Sequence, residues 1–430
     1  MRSLALAALI AVAAPGPLYA QQADNVASEV EVSAELRARM DDVVVLLNGT
    51  GEPQEILSEQ FLAAVPPAQV AEMGTQLKTQ FGDVLGVESI DPRSAHSASF
   101  VLRFEKALGN GQIVIAPTEP HKITGLRLTG FDPIDDNADK ITADMSALSG
   151  SSAAWFGPLD GPAVFSHGDS KAQFAIGSTF KLYVLAAISR AVDEGRLSWD
   201  TVVPLSSKSF PSGISQDWPD DAPVTLHTLA TLMISISDNT ATDTLIDAVG
   251  REAIEAELRA SGHGAPEKTL PFLKTLELFA LKVLGSGENY STADEARRRA
   301  ILGELDLTDL SEEPFREVFT GNTPVLVDTV EWFASMEDQR ALMRVLAADT
   351  DDTARQIMAV NTGLTDKKIA NWNYVGFKGG SEPGVRNLSW LLQDETGRWH
   401  MLAISWNDTQ AEIDTNTLLM LAQRILALAD

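Results

Sequence analysis

The sequence predicts an α+β protein that is built from two domains. Its 430 residues are 44% hydrophobic and 22% charged, which is ordinary globular composition with room for two domains. Helical periodicity near the start gives way to a run of short strands, and further along strands flank a mainly helical middle. Because the last strands must meet the first across that helical middle, we expect the second domain to be one sheet with helices packed on it.

The first domain is predicted over residues 24–130. Apolar residues recur at helical spacing from about 27 to 47, and shorter helical patterns cover 56–65 and 70–81. The period then changes to two, which indicates strands. The strands are expected at Val84–Ile90, Ser99–Phe104, Gln112–Ala116 and Ile123–Leu128, with turns at Asp91-Pro92 and Gly109-Asn110-Gly111. This order of helices and strands resembles that of NTF2-like domains, which implies either a ligand-binding domain or a plain spacer.

The first 20 residues have the features of a secretory signal peptide. Arg2 precedes an apolar run from Leu4 to Ala14 that is too short to span a bilayer, and Pro15-Gly16-Pro17 ends the run. The alternative is an N-terminal core helix. We expect a secreted protein of the bacterial periplasm without a membrane anchor. The polar, turn-rich segment 131–142 is predicted as the linker, and the second domain as residues 143–430.

Composition limits the partners of this protein. The formal net charge is −27, and such an acidic surface argues against binding nucleic acid or an anionic membrane. There is no cysteine, so neither a disulfide framework nor a lipid anchor on cysteine is available. No spaced cluster of histidine and aspartate indicates a metal site. We therefore expect a small-molecule substrate and no metal or cofactor.

The first of three chemical motifs is Ser178-x-x-Lys181. Gly177 ends a turn, and Ser178 lies where an apolar helix should begin. Residues three apart share a helix face, so Ser178 Oγ and Lys181 Nζ can meet. A helix N-terminus also favours negative charge developing on Ser178. By itself the pattern is common and has no functional meaning.

The other two motifs also have structural alternatives. Ser237-Asp238-Asn239 interrupts two helical segments, and Asp238 or Asn239 could simply cap the second of them. Lys378-Gly379-Gly380 follows an apolar strand, where paired glycines allow another backbone to approach closely. A hairpin turn with a solvated lysine is the alternative there.

In this order, the three motifs resemble the active-site triplet of the penicillin-interacting serine enzymes, class A β-lactamases above all. The resemblance implies a β-lactamase/transpeptidase-like fold and an acyl-enzyme on Ser178. It implies Lys181 as the base, and Ser237 as the proton relay with Lys378 polarising it. A lysine must be neutral to accept a proton, and burial together with the like charge of Lys378 lowers its pKa. The histidines of this domain lie outside the motifs, which disfavours a Ser-His-Asp triad.

The resemblance also implies the substrate-binding groups. Asn239 is expected to bind the substrate's amide side chain. The backbone N–H groups of Ser178 and Ser381 are expected to form an oxyanion hole, whose geometry needs Gly380 beside it. Arg386, on the following strand, is a candidate partner for a substrate carboxylate, with a surface arginine as the alternative.

Two departures from the family pattern bear on turnover. Glu277 lies at a suitable distance after Ser237 to be the deacylating carboxylate, but Leu278-Phe279 follow it, and a helix-end partner is at least as good an interpretation. Gly379 stands where the family has threonine or serine. We therefore expect acylation with slow deacylation. β-Lactam hydrolysis is the first hypothesis; an esterase, a peptidoglycan D,D-peptidase and a slow or inert ligand-sensing protein remain open.

Overall fold

A computed structural model describes residues 32–429, apart from Asp135, Ser207, 308–317, 319–322 and 365–368. The chain divides into two compact units, residues 1–136 and 137–430. The predicted signal peptide lies outside the described residues. The division falls inside the segment that was predicted as the linker, but a strand extends into that segment as far as Pro133 and a helix begins at Ala138.

The first unit has helices followed by a strand meander, as its sequence periodicity predicted. Four antiparallel strands form one sheet in which each strand pairs with the next one along the chain. The NTF2-like interpretation of this unit stays a prediction. The elements are α1 (Ala34–Leu47), α2 (Pro53–Ile56), α3 (Glu59–Ala64), α4 (Pro67–Phe81), β1 (Val84–Ser94), β2 (Ser97–Phe104), β3 (Ala107–Ile115) and β4 (Ile123–Pro133).

Alternating burial builds the core of this unit. Every second residue of β2, from Ala98 to Phe104, is buried, since successive side chains of a strand point to opposite faces. The buried residues of α1 recur at helical spacing. Phe81, at the end of α4, stacks on Phe131 of β4 with ring centroids 4.2 Å apart. Aromatic burial of this kind joins the last helix to the sheet.

The predicted turns in this sheet are wrong. Asp91-Pro92 lies inside β1 and Gly109-Asn110-Gly111 lies inside β3, and irregularities of strand register let the chain continue through both sites. A Cβ on Gly109 would lie 2.8 Å from the Phe104 ring, and one on Gly111 would overlap the Phe100 ring. These glycines make room for aromatic side chains instead of turning the chain.

In the second unit, strands from both ends of the domain meet in one antiparallel sheet of order β11-β12-β13-β5-β6, as predicted. A short 3-10 turn, Gly177–Phe180, precedes α6. The strands are β5 (Ser151–Pro158), β6 (Phe165–His167), β7 (Phe174–Ala175), β8 (Val202–Pro204), β9 (Pro223–Thr225), β10 (Phe333–Ala334), β11 (Tyr374–Glu382), β12 (Val385–Gln393) and β13 (Trp399–Asn407). The helices are α5 (Ala138–Ser146), α6 (Lys181–Asp193), α7 (Leu226–Ser235), α8 (Asn239–Val249), α9 (Arg251–Ala260), α10 (Thr275–Val283), α11 (Gly287–Thr292), α12 (Glu295–Glu304), α13 (Met336–Ala348), α14 (Thr353–Met358) and α15 (Thr415–Leu426).

The sheet separates two apolar layers. On β13, Met401 and Ala403 pack in the cluster that contains α6, whereas Leu402 and Ile404 pack with α5 and α15 on the other face. The buried residues of α6 lie on all its sides, so it is an interior helix and not an amphipathic surface helix. Because Lys181 opens this helix, its side chain is taken inside the domain. No helix within the described ranges is long and apolar enough to cross a membrane.

Candidate active site

The three motifs meet at one cavity of about 520 Å³. Ser178 lies in the 3-10 turn before α6, Ser237 in the connection between α7 and α8, and Lys378 in β11. All three residues line the cavity, as does Asn239. The structure therefore brings together residues that are separated by up to 200 positions in the sequence (378 − 178).

Lys181 lies behind the cavity and is fully buried. Its Nζ donates hydrogen bonds to Ser237 O at 2.7 Å, Ser237 Oγ at 3.1 Å and Asn239 Oδ1 at 2.7 Å. Burial lowers the pKa of Lys181 to about 7, although the charges of Asp243 and Asp238 act in the opposite direction. The sequence predicted a helix that begins at Ser178, but the α-helix begins at Lys181. Within the described part of the chain, no hydrogen bond joins Ser178 Oγ to Lys181 Nζ.

Ser237 is held between two lysines. Its Oγ accepts a hydrogen bond from Lys378 Nζ at 3.0 Å in addition to the one from Lys181. Both lone pairs of the hydroxyl are then used, so its own proton is left for a group in the cavity. The backbone of Ser237 has a φ of +60°, a left-handed conformation that is uncommon outside glycine and signals a strained position.

Lys378 is also buried, with 3% of its surface exposed. Its pKa lies well below the ordinary value for a lysine. Burial is the main cause, and the positive charges of Lys181 and Arg386 act in the same direction. A solvated lysine on a hairpin, the alternative that the sequence left open, is therefore excluded.

Close backbone contact explains two glycines of the site. Gly177 has a φ of +47°, and a Cβ on it would lie 3.0 Å from Ser381 N. A Cβ on Gly380 would lie 2.6 Å from Ser178 N and would overlap Ile176 O. Glycine at both positions lets the turn that carries Ser178 and the strand that carries Ser381 pack closely beside the cavity. An oxyanion hole formed by their backbone N–H groups stays a prediction.

Asp238 and Asn239 have different tasks. Asp238 caps α8 by accepting a hydrogen bond from Ala241 N at 2.8 Å, and it also binds Ser215. The capping alternative thus holds for Asp238. Asn239 instead lies at the cavity wall, where its Oδ1 accepts from Lys181 and its Nδ2 donates to Phe210 O at 2.9 Å. A role for its amide in binding substrate stays a prediction.

Arg386 lines the cavity opposite Ser381 in the β11–β12 pair. Its Nε is buried and has no hydrogen-bond partner among the described residues. Burial lowers its pKa from the ordinary value. Together with Lys378, Arg386 gives the cavity a cationic end in a protein whose net charge is strongly negative.

The structure does not bring Glu277 to this cavity. Its carboxylate binds Arg251 at 2.6 Å and accepts a hydrogen bond from Lys274 N at 2.8 Å, which closes the N-terminus of α10. The residues that α10 presents to the cavity are Thr275, Leu278 and Phe279. Glu277 is therefore a partner at the end of a helix, and its carboxylate does not face the cavity.

A second group of charged residues at the cavity was missed in the sequence. Lys282 Nζ binds Glu331 at 2.8 Å and also Glu382, and both glutamates line the cavity. Glu331 and Glu382 lie 49 and 100 positions after Lys282, and the three residues belong to different parts of the fold. No local sequence pattern connects them, although Glu382 lies two residues after the third motif.

None of the described histidines of the second unit lines this cavity. His263, for example, bonds to Phe333 O at 2.8 Å, and His400 bonds to Asp394 at 2.8 Å. Within the described residues, no group of three or more histidine, aspartate and glutamate side chains could hold a metal ion.

Comparison with known proteins agrees with this geometry. Residues 137–298 match the Beta-lactamase enzyme family. The match begins at the first residue of the second unit and contains the first two motifs. No curated protein matches the chain.

Similar solved structures include a β-lactamase from Sphaerobacter thermophilus, which is 20% identical over 68% of this chain and 95% of that chain, with a TM-score of 0.47. A β-lactamase from Chitinophaga pinensis is 16% identical over 68% of this chain and 97% of that chain, with a TM-score of 0.45. PBP-A is 17% identical over 67% of this chain and 94% of that chain, with a TM-score of 0.45. The family match and the side-chain geometry, and not these likenesses, carry the assignment.

Residues 137–298 of the second unit are similar to the Beta-lactamase enzyme family, and this match together with the geometry of the three motifs makes the unit a β-lactamase-like serine hydrolase.

Proposed function

We propose that this protein is an exported serine hydrolase that forms an acyl-enzyme on Ser178, with β-lactams or related activated amides and esters as substrates. The observation that carries the proposal is the position of Ser237 Oγ between two buried Nζ atoms, at 3.1 Å and 3.0 Å, on the wall of the cavity that Ser178 lines. Such an arrangement can take a proton from a nucleophile and give one to a leaving group.

Acylation begins with a neutral Lys181. An ammonium donates three hydrogen bonds, and Lys181 has three acceptors. Loss of one proton leaves two donors and one lone pair, so one of the three contacts must change. The free lone pair can then accept the proton of Ser178 Oγ as this oxygen attacks the substrate carbonyl carbon.

The proton then passes to the leaving group. As the bond from the carbonyl carbon to the leaving nitrogen or oxygen breaks, Ser237 Oγ gives its proton to that atom and recovers one from Lys181. The negative charge on the carbonyl oxygen is stabilised by the N–H groups of Ser178 and Ser381, whose proximity rests on Gly177 and Gly380. Lys378 donates a hydrogen bond to Ser237 Oγ and so polarises this hydroxyl.

The cationic end of the cavity fits a substrate carboxylate. Lys378 and the unpartnered Nε of Arg386 offer buried positive charge there, and charge-assisted hydrogen bonds are the stronger kind. Gly379 supplies no hydroxyl for such a contact, so these two side chains bind the carboxylate.

The second candidate function is that of a D,D-peptidase or a ligand-sensing protein, and a separate observation favours it. Thr275, Leu278 and Phe279 face the cavity from α10, and Glu277 is held away from it by Arg251. The α10 wall then offers no carboxylate to activate water, which favours a long-lived acyl-enzyme. A D,D-peptidase or ligand-sensing role follows in that case.

The other parts of the proposal concern the first unit and the location. We propose that export through residues 1–20 delivers the protein to the bacterial periplasm. The first unit then acts as an NTF2-like spacer, unless a thermal-shift screen on the full chain and on residues 137–430 finds a ligand that stabilises only the full chain.

Intact mass measured after seconds and after hours with a penicillin and with a cephalosporin tests the proposal. We expect an adduct on the wild type and none on Ser178→Ala. A transient adduct with product accumulating indicates a working β-lactamase, and a persistent one supports the second candidate. Absence of an adduct from the wild type with both compounds overturns the β-lactam proposal and redirects the search to esters and cell-wall peptides.

A further inference from the structure

The cavity contains a buried charge cluster that the acylation chemistry leaves unused. It consists of Lys282 on α10, Glu331 just before β10 and Glu382 at the end of β11. The side chains of these three residues are at most 6% exposed. Both glutamates nevertheless line the cavity that Ser178 lines.

The cluster has one negative charge in excess, since it holds two carboxylates and one ammonium. Burial, and next the repulsion from Glu331, raises the pKa of Glu382 well above its usual range. A buried charge must be offset by a partner. A cationic group of a ligand in the cavity can supply the missing partner for the excess negative charge.

The position of the cluster along β11 sets its distance from the cationic end. Lys378 and Glu382 are four residues apart on one strand, so their side chains share a face and their Cα atoms are about 13 Å apart. Their contacts agree with this arrangement, because Lys378 binds Ser237 and Glu382 binds Lys282. The cavity thus has a cationic end and an acidic end, with the acylation centre between them.

The direction of the substrate follows from the proton relay. Ser237 must give its proton to the leaving group, and Ser237 is bound to Lys378. The leaving part of the substrate therefore lies at the end of Lys378 and Arg386, where its carboxylate is bound. The acyl part must extend the other way along β11, past Ser381 towards Glu382 and Glu331.

We propose that Glu382 and Glu331 select substrates that carry an ammonium group on the acyl side of the bond that is broken. The inference rests on the acyl-enzyme on Ser178 proposed above. The substrate class is a zwitterionic peptide or β-lactam, with an amino group in its acyl part and a carboxylate in its leaving part. Binding of the ammonium gives the cluster two positive charges for two negative ones.

The test compares two penicillins that differ by one amino group in the acyl part, benzylpenicillin and α-aminobenzylpenicillin. Acylation rate constants at pH 7 are measured by intact mass for the wild type, Glu382→Gln and the double variant Glu331→Gln/Glu382→Gln. The matched control is Glu257→Gln, since Glu257 is a buried glutamate that pairs with Arg190 outside the cavity.

We expect the wild type and the control to be acylated about tenfold faster by the amino compound, the value of one charge-assisted hydrogen bond. In Glu382→Gln this preference falls to about twofold or less, while the rate with benzylpenicillin changes by no more than roughly threefold.

Equal rates of the two penicillins on the wild type overturn the inference and leave the acyl-enzyme proposal standing. A preference that survives in the double variant also overturns it. The wild-type comparison needs no substitution, so a variant that fails to fold does not decide the matter. If neither penicillin acylates Ser178, the proposed function fails and the inference fails with it.

Discussion

Two buried lysines of the same domain, Lys181 and Lys282, have opposite electrostatic surroundings. Lys181 donates to three uncharged oxygens, two on Ser237 and one on Asn239, and burial lowers its pKa to about 7. A fully buried lysine with neutral acceptors therefore exists in both protonation states near neutral pH.

Lys282 donates to the carboxylates of Glu331 and Glu382. Burial acts to lower the pKa of Lys282, but the two carboxylates more than offset that effect and raise it. The two lysines are about equally buried. The comparison teaches that the charge of the partners, and not burial itself, separates a base from a structural cation.

The largest expected difference is in acylation. Replacement of the base in Lys181→Met should slow acylation of Ser178 by a penicillin about 10²–10⁴-fold, the usual contribution of a positioned proton acceptor. Lys282→Met should slow it by less than about tenfold, because Lys282 moves no proton. Intact-mass rate constants check both values, and equal losses in the two variants would contradict the assignment of the base.

The second difference is the effect of pH on stability. The pKa of Lys181 is about 7 in the folded protein and about 10.5 when unperturbed. Between these values the unfolded chain holds a proton that the folded chain lacks, so the free energy of unfolding rises with pH. Lys181→Met lacks this contribution. The stability of the wild type minus that of the variant should therefore increase from pH 7 to pH 10, by about 3.5 kcal/mol.

Urea unfolding of both proteins at several pH values measures this difference. Lys282→Met serves as the control, since a pKa that is raised on folding contributes no such rise in this pH range. A difference between wild type and Lys181→Met that is constant across the range would show that folding leaves the pKa of Lys181 unchanged.

The third effect is on stability at neutral pH. Lys282→Met leaves Glu331 and Glu382 buried without their cation, and removal of one partner of a buried ion pair costs about 3–5 kcal/mol. The free energy of unfolding should fall by that amount and should recover in part in Lys282→Met/Glu382→Gln. No recovery in the double variant would mean that the carboxylate charge is not the cause.

The smallest effect is a change in the pH dependence of acylation. The carboxylate of Asp243 acts to raise the pKa of Lys181, so Asp243→Asn should move the midpoint of the acylation profile to lower pH. Asp247→Asn, one turn further along α8, is the matched control, because Asp247 pairs with Lys274 and has no such effect on Lys181. Identical midpoints in the two variants would exclude Asp243 as a cause.

Much of the fold could be predicted because it rests on periodic burial. The alternation along β2 and the helical period of α1 and α4 are present in the sequence itself, and β12 and β13, which are buried on both faces, appear there as short apolar runs. The continuation of β3 through Gly109–Gly111 could not be predicted, because these glycines leave space for the Phe100 and Phe104 rings, which lie on a neighbouring strand.

The candidate site was predictable to the extent that its chemistry is local. Ser178 and Lys181 are three residues apart, and the apolar sequence around Lys181 indicates its burial. The Lys282 cluster joins three distant elements, so no spacing rule finds it. Glu277 was chosen by its distance from Ser237 alone, and sequence distance does not report that Arg251 binds its carboxylate.

The central claim, that a buried neutral lysine activates Ser178, is tested most directly by the rate of acylation of the wild type by a penicillin from pH 5 to pH 10. Intact mass gives the rate at each pH, and Ser178→Ala gives the background. We predict a rate that rises with pH through a midpoint near 7, the pKa of Lys181. A rate that is independent of pH across this range, or that rises only towards the ordinary pKa of a lysine near 10.4, would contradict it.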